Sequence, residues 1–196
     1  MSSTRLLMLG AVRIFQPVHG YFVRRELLTW RVDQWAKINP GSIYNALRTL
    51  ERDGFIVAVD ADEQPIRYSL TEDGETEFLA LLREALWRVV PNDPARLYTA
   101  VSFLWALSRE EVIEALEGRL AQLDALHREV PYTISTLMGH GEKPRHIAEF
   151  GYLGDALIMG EREWTEACLA RIREGAYAFL GEDEHPWSLT ERGSQD

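Results

Sequence analysis

The chain has 196 residues, of which 46% are hydrophobic and 27% are charged, a composition typical of a globular protein with a sizeable core. It holds one cysteine and lacks a run of 18 apolar residues, which excludes an internal disulfide framework, a multi-cysteine zinc site and a transmembrane helix. We interpret the N-terminus as a helix rather than a secretory signal, and we expect a cytoplasmic protein.

The net charge of −10 is unevenly distributed along the chain. Residues 1–59 carry a net charge of +4, residues 60–90 a net charge of −5 and residues 91–196 a net charge of −9. Attraction to phosphate depends on the charge of the local surface more than on the total charge. The asymmetry therefore suggests a partner for the basic N-terminal part, and nucleic acid is compatible with it.

Two helices are predicted at the start of the chain. Thr4 is a candidate cap for a helix over residues 5–16, which Pro17 ends. A second helix covers about residues 20–30. Its Tyr21 is interpreted as a core or helix-packing residue, with a DNA contact as the alternative.

The third helix has the clearest predicted boundaries. Residues 32–39 form a connection that leads to Asn39, a preferred N-cap residue. Pro40 occupies the first helical position, where its missing amide hydrogen costs nothing. The helix runs to about Asp53, and Gly54 stands where a left-handed residue commonly ends a helix.

A β-hairpin follows the third helix. Two β-type runs, 55–59 and 66–70, flank a polar stretch, and Thr71 then caps a long helix over about 72–90 that reaches Pro91. The order of three helices, a hairpin and a further helix is that of a winged helix-turn-helix, whose third helix enters the major groove of DNA.

The second half of the chain is predicted to be entirely helical. One helix covers about residues 94–107, and Ser108 with Glu111 forms a capping box at the start of the next. Pro131 is predicted to bend or break that helix, and a last helix covers about 144–180. Apolar residues repeat at coiled-coil spacing over four heptads. The two series are Ile113, Leu120, His127 and Ile134, and Leu116, Leu123, Val130 and Leu137.

Several short motifs occur in the order seen in one known family. They are Leu9-Gly10, His19-Gly20-Tyr21, Asn39-Pro40-Gly41-Ser42-Ile43-Tyr44, Leu50-Glu51-Arg52-Asp53-Gly54 and the run from Ile66 to Gly74. In these residues the chain resembles the PadR-like family, the regulators of phenolic-acid decarboxylase type. The helical second half matches the longer subgroup of the family in length and helicity only. The resemblance implies a dimeric transcriptional repressor whose C-terminal helices dimerise. Many members of the family release DNA when a small aromatic molecule binds.

The chain departs from the family pattern at two places. Family members usually carry proline where this chain has Asn45. The wing tip, residues 60–63, holds three acidic residues, and Arg67 is the one basic residue of the wing. This composition argues against insertion of the wing tip into the minor groove.

The third helix carries the candidate DNA-reading residues. Ser42, Asn45 and Arg48 lie near one face at spacings of three, and an arginine can pair with guanine and an asparagine with adenine. Tyr44 and Lys37 are candidate phosphate contacts. The alternative interpretation is a solvated polar face on an ordinary helix.

Two further sets of residues are candidates for an effector pocket and a dimer interface. The pocket candidates are Trp87, Tyr98, Trp105, Phe150 and Trp164. The interface candidates are Leu9, Leu116, Leu120, Leu123 and Val130. The aromatic residues could equally form the core and the dimer interface, because aromatic rings serve both roles. At His127, burial in the seam and exposure to solvent remain open alternatives.

No motif for catalysis, a cofactor or a metal emerges from the sequence. The histidines lack zinc spacing, there is no glycine-rich phosphate loop, and Cys168 is predicted to be a small buried residue. Gly151, Gly154 and Gly160 are predicted to allow close packing of a helix. An enzyme is therefore not expected.

The sequence predicts a mainly α fold with an N-terminal winged helix-turn-helix over residues 1–75. A long linking helix joins it to a helical dimerisation and effector domain over 76–181, and residues 182–196 form a disordered tail. The leading hypothesis is a homodimeric repressor that binds a palindromic operator in double-stranded DNA and is released by a small aromatic or hydrophobic effector. The alternative is a regulator whose helical domain binds a protein and senses no small ligand.

Overall fold

A computed structural model describes residues 3–36, 38–59, 65–91, 93–139 and 143–182. The helices are α1 (Ser3–Phe15), α2 (Gly20–Thr29), α3 (Val32–Trp35), α4 (Pro40–Arg52), α5 (Glu72–Trp87), α6 (Pro94–Val101), α7 (Arg109–Met138) and α8 (Glu149–Arg173). The strands are β1 (Val18–His19), β2 (Ile56–Val59) and β3 (Arg67–Leu70), and short 3₁₀ helices cover Leu104–Ala106 and Arg145–Ala148. In these ranges no helix combines the length and the apolar character needed to span a bilayer.

The element order confirms the predicted fold class. Helices α1, α2 and α4, the hairpin β2–β3 and helix α5 form a winged helix-turn-helix, and the rest of the described chain is helical. The boundary predicted at residue 75 falls within α5, which packs both on α1 and on α7. Helix α5 thus connects the two halves of the molecule.

Helix α1 lies at the centre of the core and packs against α2, α4, α5 and α6. Leu7, Met8 and Leu9 are fully buried, as expected for a helix that is surrounded by protein. At Gly10 a Cβ atom would lie 2.3 Å from the Phe103 ring, so only glycine permits this close approach. Leu9 had been predicted at the dimer interface. That assignment is wrong, because its side chain is enclosed within the protomer.

The sheet has three antiparallel strands in the order β1-β3-β2. Val18 lies opposite Tyr68, and Ile56 lies opposite Leu70. The hairpin was predicted, but β1 was not, because a strand of two residues is too short to show an alternating pattern. Residues 60–64, which include the wing tip, lie outside the described residues.

The predicted caps are confirmed at three helices. The Asn39 side chain accepts a hydrogen bond from the Gly41 amide at 3.0 Å. The Thr71 hydroxyl accepts one from the Gly74 amide, and the Ser108 side chain takes part in the capping box. Gly54 has a φ of 82°, which is the left-handed conformation predicted after α4.

The boundaries of two predicted helices need correction. Helix α1 begins at Ser3, so Thr4 lies within it and does not cap it. Helix α5 ends at Trp87 rather than near residue 90. Gln122 on α7 contributes to this end, because its side chain accepts a hydrogen bond from the Val89 amide and donates one to the Trp87 carbonyl.

Two predicted segments are built differently in the structure. The connection over residues 32–39 contains helix α3, where Trp35 Nε1 donates to the Trp30 carbonyl at 3.0 Å. The helix predicted over 94–107 is split into α6 and a 3₁₀ turn around Trp105. Both corrections involve aromatic residues that pack against distant parts of the chain.

Helices α7 and α8 form an antiparallel pair, since residues early in α7 meet residues late in α8. Helix α7 continues through Pro131 to Met138, so the predicted break is absent. A Cβ atom at Gly151 would lie 2.2 Å from Ile134, which confirms close packing there. Gly154 and Gly160 have no described atom within 4 Å of that position, so close packing inside the protomer is wrong for these two.

The last predicted helix is shorter than expected. Helix α8 starts at Glu149 rather than 144, because a 3₁₀ turn precedes it, and it ends at Arg173 rather than 180. Arg109 at the start of α7 donates to the carbonyls of Ile172 and Tyr177, which satisfies backbone oxygens at the end of α8. The predicted disordered tail lies outside the described residues from 183 onwards.

The heptad seam is divided between the protomer core and the surface. Leu116 and Leu123 are fully buried within the protomer, whereas Leu120 and Val130 are half-buried. The predicted contacts of Leu116 and Leu123 with a second copy are therefore wrong. His127 is exposed and its Nδ1 lies 2.5 Å from a carboxylate oxygen of Asp155 on α8. The solvent-facing interpretation of His127 is confirmed.

Candidate nucleic-acid interface

Helix α4 is fixed to the core by one face and presents the other to solvent. Ile43, Leu47 and Leu50 are buried and anchor the helix. Tyr44, which is 41% exposed, lies on the outer side, as do Asn45 and Arg48. Helix α4 therefore has the amphipathic character and the exposed polar side chains that a DNA-reading helix requires.

Asn45 and Arg48 form a pair on this exposed side. Arg48 Nη2 donates a hydrogen bond to Asn45 Oδ1 at 2.6 Å. The contact holds the guanidinium group beside the amide while the other donors of Arg48 are still available. An arginine oriented in this way can donate to guanine O6 and N7 with less loss of side-chain entropy than an unrestrained one.

The structure describes one of two further predicted DNA contacts, Ser42, but not the other, Lys37. The Ser42 hydroxyl donates to the Asn39 carbonyl at 2.6 Å and is half-buried, so it stabilises the first turn of α4. Its predicted base contact stays a prediction. Lys37, the predicted phosphate contact, lies outside the described residues.

The recognition helix also contacts the wing through Tyr68 on β3. Tyr68, Tyr44 and Arg48 line one cavity together with Gly41 and Leu47. Burial raises the pKa of the Tyr68 hydroxyl and the charge of Glu51 adds to this, whereas Arg48 acts in the opposite direction. The hydroxyl thus stays protonated and can donate a hydrogen bond. The sequence analysis did not single out Tyr68 because only the fold brings β3 beside α4.

Arg67 lies in the sheet rather than at the wing tip. It occupies β3, opposite His19 on one side and Val59 on the other, and is half-buried. This position places it at the base of the wing. Its contact with DNA stays a prediction, as does the role of the acidic wing tip.

Tyr21 was predicted in the core, and this prediction is wrong. Its side chain is 60% exposed in the first turn of α2, whereas Val23 and Leu27 occupy the buried positions. Val23 and Leu27 are four residues apart and share a helix face, and Tyr21 points elsewhere. A tyrosine hydroxyl at this position is free of the core and suited to a phosphate contact.

A cleft of about 500 Å³ lies between α6 and α8, in the half of the molecule beyond the winged helix. It brings Tyr98 and Trp164 together, as the predicted effector pocket requires. The lining of the cleft is mainly apolar. The described lining residues are Val90, Asp93, Pro94, Leu97, Tyr98, Val101, Leu157, Glu161 and Trp164.

The other three predicted pocket residues do not line this cleft. Trp105 is buried in the core, with the Arg13 guanidinium 5.1 Å from its ring. Trp87 packs over Gly118, where a Cβ atom would come within 2.6 Å of the indole. Phe150 is 69% exposed on α8. Their assignment to a common pocket with Tyr98 and Trp164 is wrong, since burial and helix direction separate these aromatic side chains.

Two contacts link the cleft to the winged helix. The Tyr98 ring packs on Trp35 of α3, with 5.7 Å between the ring centroids, and α3 precedes the recognition helix. Glu161 accepts from Arg119, which donates in turn to the Leu86 carbonyl at the end of α5. The cleft therefore contacts the winged helix on two sides.

Cys168 is buried in α8 and is expected to react slowly with thiol reagents. Burial raises the pKa of its thiol, while Arg171 acts in the opposite direction. The thiolate is the reactive form, so a raised pKa and poor access both slow alkylation. We expect iodoacetamide at pH 8 to label the folded protein much more slowly than the urea-unfolded chain. Equal labelling rates in the two states would contradict this prediction.

The described residues provide no set of three or more His, Cys, Asp or Glu side chains that could hold a metal ion. The candidate functional features of the described residues are the exposed face of α4, the neighbouring wing and the cleft between α6 and α8. Helix α4 is anchored in the core by its buried face and lies beside the hairpin β2–β3. This arrangement defines a winged helix-turn-helix, a fold of the DNA-binding class.

Comparison with known families gives one match, over the N-terminal part of the chain. Residues 8–80 match the model described as the transcriptional regulator PadR-like family. This match covers the N-terminal winged helix and confirms the resemblance to the PadR-like family seen in the motifs. The family is one of transcriptional regulators. No curated protein shows significant sequence similarity to the chain.

Solved structures of proteins from three bacteria also align with the chain. Bacillus subtilis PadR in complex with operator DNA is 19% identical, covers 85% of this chain and 96% of its own, and has a TM-score of 0.38. The same protein with p-coumaric acid is 20% identical over 87% of this chain and 99% of its own, with a TM-score of 0.36. The PadR-like regulator BC1756 of Bacillus cereus is 17% identical over 88% and 99%, with a TM-score of 0.32. A protein of Streptococcus mutans, smu.1604c, is 21% identical over 87% and 99%, with a TM-score of 0.33. TM-scores this low do not establish a common arrangement of the whole chain, so the fold assignment rests on the elements and the family model.

Proposed function

We propose that the chain is a homodimeric transcriptional repressor that reads a palindromic operator with α4. A small aromatic or hydrophobic effector bound in the cleft releases it from DNA. The observation that carries the proposal is the exposed face of α4, where Arg48 is held against Asn45 on a helix that is anchored in the core. One winged helix covers only a half-site, so a symmetric operator requires two copies.

Selection of binding sites from genomic DNA by the purified protein tests the reading of DNA. The proposal predicts an inverted repeat with half-site centres about 10 base pairs, or one helical turn, apart. Enrichment of a single unrepeated half-site would contradict a symmetric dimer. Recovery of fragments without any shared motif would contradict sequence-specific recognition.

An exposed apolar face on α8 supports a dimer. Phe150, Leu153 and Leu157 repeat at spacings of three and four on this helix, and Leu153 is 62% exposed. Gly154 and Gly160 have open space beside them and would allow another helix to approach closely. Tyr132 on α7 is also largely exposed. An apolar face of this kind typically marks an interface, and a two-fold axis would bring two copies of α8 together.

Replacing Phe150 and Leu153 together with aspartate is expected to give a monomer. Two carboxylates would have to be desolvated at the interface, whereas the exposed positions tolerate them in the protomer. Equilibrium sedimentation should show a dimeric wild type and a monomeric F150D/L153D variant of unchanged helix content. Leu180→Asp, a change at an exposed leucine outside α8, serves as the control and should stay dimeric.

A wild-type protein that sediments as a monomer at tens of micromolar would overturn the dimer proposal. The same result would favour the alternative, in which the apolar face of α8 binds a different protein. The predicted contacts of Leu120 and Val130 with a second copy would then be wrong as well. Aspartate at Leu116 and Leu123 is not a suitable test, because these buried side chains belong to the protomer core.

The cleft supports regulation by a small molecule. Its volume of about 500 Å³ and its apolar walls are typical of ligand sites, and its contacts reach α3 and α5. A ligand that binds the DNA-free conformation more tightly must lower DNA affinity, and DNA must weaken ligand binding by the same factor. A ligand that binds the cleft without changing DNA affinity would contradict this part of the proposal.

A further inference from the structure

We propose that the cleft between α6 and α8 selects planar aromatic ligands with a positively charged head group, such as a protonated amine, over aromatic carboxylates. The inference rests on the effector role of the cleft proposed above and specifies the chemistry of its ligand. It is based on three observations: the aromatic residues of the lining, the two carboxylates of the lining, and the ion pairs that Arg119 and Arg96 make with acidic side chains.

The walls of the cleft suit a flat hydrophobic ring. Trp164 on α8 and Tyr98 on α6 both line it, with Leu97 and Leu157 among the aliphatic residues. Aromatic side chains stack on planar ligands and also attract cations to their faces. Tyr98 is 57% exposed, so most of its side chain is accessible to a ligand. These walls alone would accept a neutral or a charged aromatic compound.

The ionisable residues of the cleft favour one sign of charge on the head group of the ligand. Asp93 and Glu161 both line it, and none of its described lining residues is a lysine, an arginine or a histidine. A carboxylate ligand would approach two negative charges and lose hydration without gaining an ion-pair partner. A protonated amine would replace its lost hydration with carboxylate oxygens, which makes charge-assisted hydrogen bonds.

Two arginines close in sequence or space to lining residues of the cleft form ion pairs with glutamates. Arg119, with 3% of its side chain exposed, binds Glu161 and the carbonyls at the end of α5. Arg96 pairs with Glu84 at 2.7 Å and is also largely buried. Neither guanidinium lines the cleft, so neither is presented to an anionic head group.

Both carboxylates retain the capacity to accept a hydrogen bond. In the described part of the chain, Arg119 bonds only Oε1 of Glu161, through Nε at 2.8 Å and Nη2 at 2.6 Å, which leaves Oε2 available. Asp93 precedes α6, but its side chain makes no capping hydrogen bond with that helix. An ammonium group has three donors, so either carboxylate can accept a hydrogen bond from it.

Three compounds that share one ring and differ in the head group test the proposal. Cinnamylamine is cationic at pH 7, cinnamyl alcohol is neutral and cinnamic acid is anionic. Isothermal titration of the full-length protein should give affinities in the order amine, alcohol, acid, with at least a tenfold difference between amine and acid. Equal affinities, or tighter binding of the acid, would overturn the charge selection while leaving the cleft as an effector site.

Variants locate the effect in the cleft. Asp93→Asn should weaken amine binding by about threefold to tenfold and strengthen acid binding, because it removes one partly exposed charge. The Asp93 side chain makes no capping hydrogen bond with α6, so the fold should tolerate the change. Glu161→Gln should act in the same direction, and its thermal unfolding would show whether Arg119 is still held. Glu114→Gln, an exposed carboxylate that does not line the cleft, is the matched control and should not change binding.

Failure of this inference can be distinguished from failure of the proposed function. Binding of the amine that Asp93→Asn and Glu161→Gln both leave unchanged would overturn the assignment to this cleft. If none of the three compounds binds, the ligand class is wrong and the effector part of the proposed function loses its support. Recognition of DNA by α4 is tested independently through Arg48.

Discussion

Replacing Arg48 with alanine is expected to weaken specific DNA binding by about 1–3 kcal/mol, the contribution of a good arginine contact to a base. Arg48 is exposed on α4 and its guanidinium is held 2.6 Å from Asn45. Loss of the side chain removes its contact with the base and leaves the core anchors of α4 in place. Fluorescence anisotropy with a labelled operator, measured at several salt concentrations, gives the change.

Arg52→Ala is the matched control for Arg48→Ala. Arg52 lies at the end of the same helix and is exposed, and it pairs with the neighbouring Asp53. The two variants lose the same formal charge, so the difference between them isolates base recognition from general phosphate attraction. If both variants lose the same affinity for the operator and for unrelated DNA, Arg48 does not read a base.

Replacing Arg119 with methionine is expected to lower the free energy of unfolding by about 3–5 kcal/mol, as for removal of one partner from a buried ion pair. Arg119 on α7 donates to Glu161 on α8 and, through Nη1, to the carbonyls of Leu86 in the last turn of α5 and of Arg88 just after it. Methionine fills similar space but leaves the Glu161 charge and these carbonyls without their partner. Helices α5, α7 and α8 would therefore lose the contact that Arg119 makes among them.

Urea denaturation of wild type and Arg119→Met measures this effect. Arg83→Met is the matched control, since Arg83 joins α5 to Glu111 on α7 at 2.8 Å through a partly exposed ion pair. Exposed pairs of this type contribute at most about 1 kcal/mol. If the two variants are destabilised equally, or Arg119→Met by less than about 1 kcal/mol, the buried contact does not have the role assigned to it.

The ends of α4 and α7 could be predicted from the sequence because their signals are local. Asn39 before Pro40 specifies the start of α4, and Gly54 adopts the left-handed conformation just after it. Ser108 and Glu111 cap each other within a single turn. Each of these interactions spans only a few residues, so tertiary packing does not decide it.

The residues of the cleft could not be predicted with the same accuracy because tertiary packing selects them. Trp87, Trp105 and Phe150 have the same aromatic character as Tyr98 and Trp164, but only the last two line the cleft. The local sequence does not indicate which distant helix a given side chain will face. Glu161 and Asp93 carry no pattern that distinguishes them from other surface carboxylates.

The heptad repeat shows a different limit of sequence analysis. Leu116 and Leu123 obey the coiled-coil spacing, yet they are buried inside the protomer. An apolar seam has the same spacing whether its partner helix belongs to the same chain or to a second copy. The exposed face of α8, with Phe150 and Leu153, is the proposed dimer surface, and its spacing in the sequence resembles that of the buried faces.

Methylation interference on the selected operator tests most directly whether α4 reads the major groove. Methylation at guanine N7 modifies the major groove, whereas methylation at adenine N3 modifies the minor groove. The proposed function predicts that N7 methylation of a guanine in each of two symmetric half-sites blocks the wild type. Arg48→Ala should lose this sensitivity at the same guanines. Interference confined to adenine N3, or present in only one half-site, would contradict recognition of a palindrome by α4.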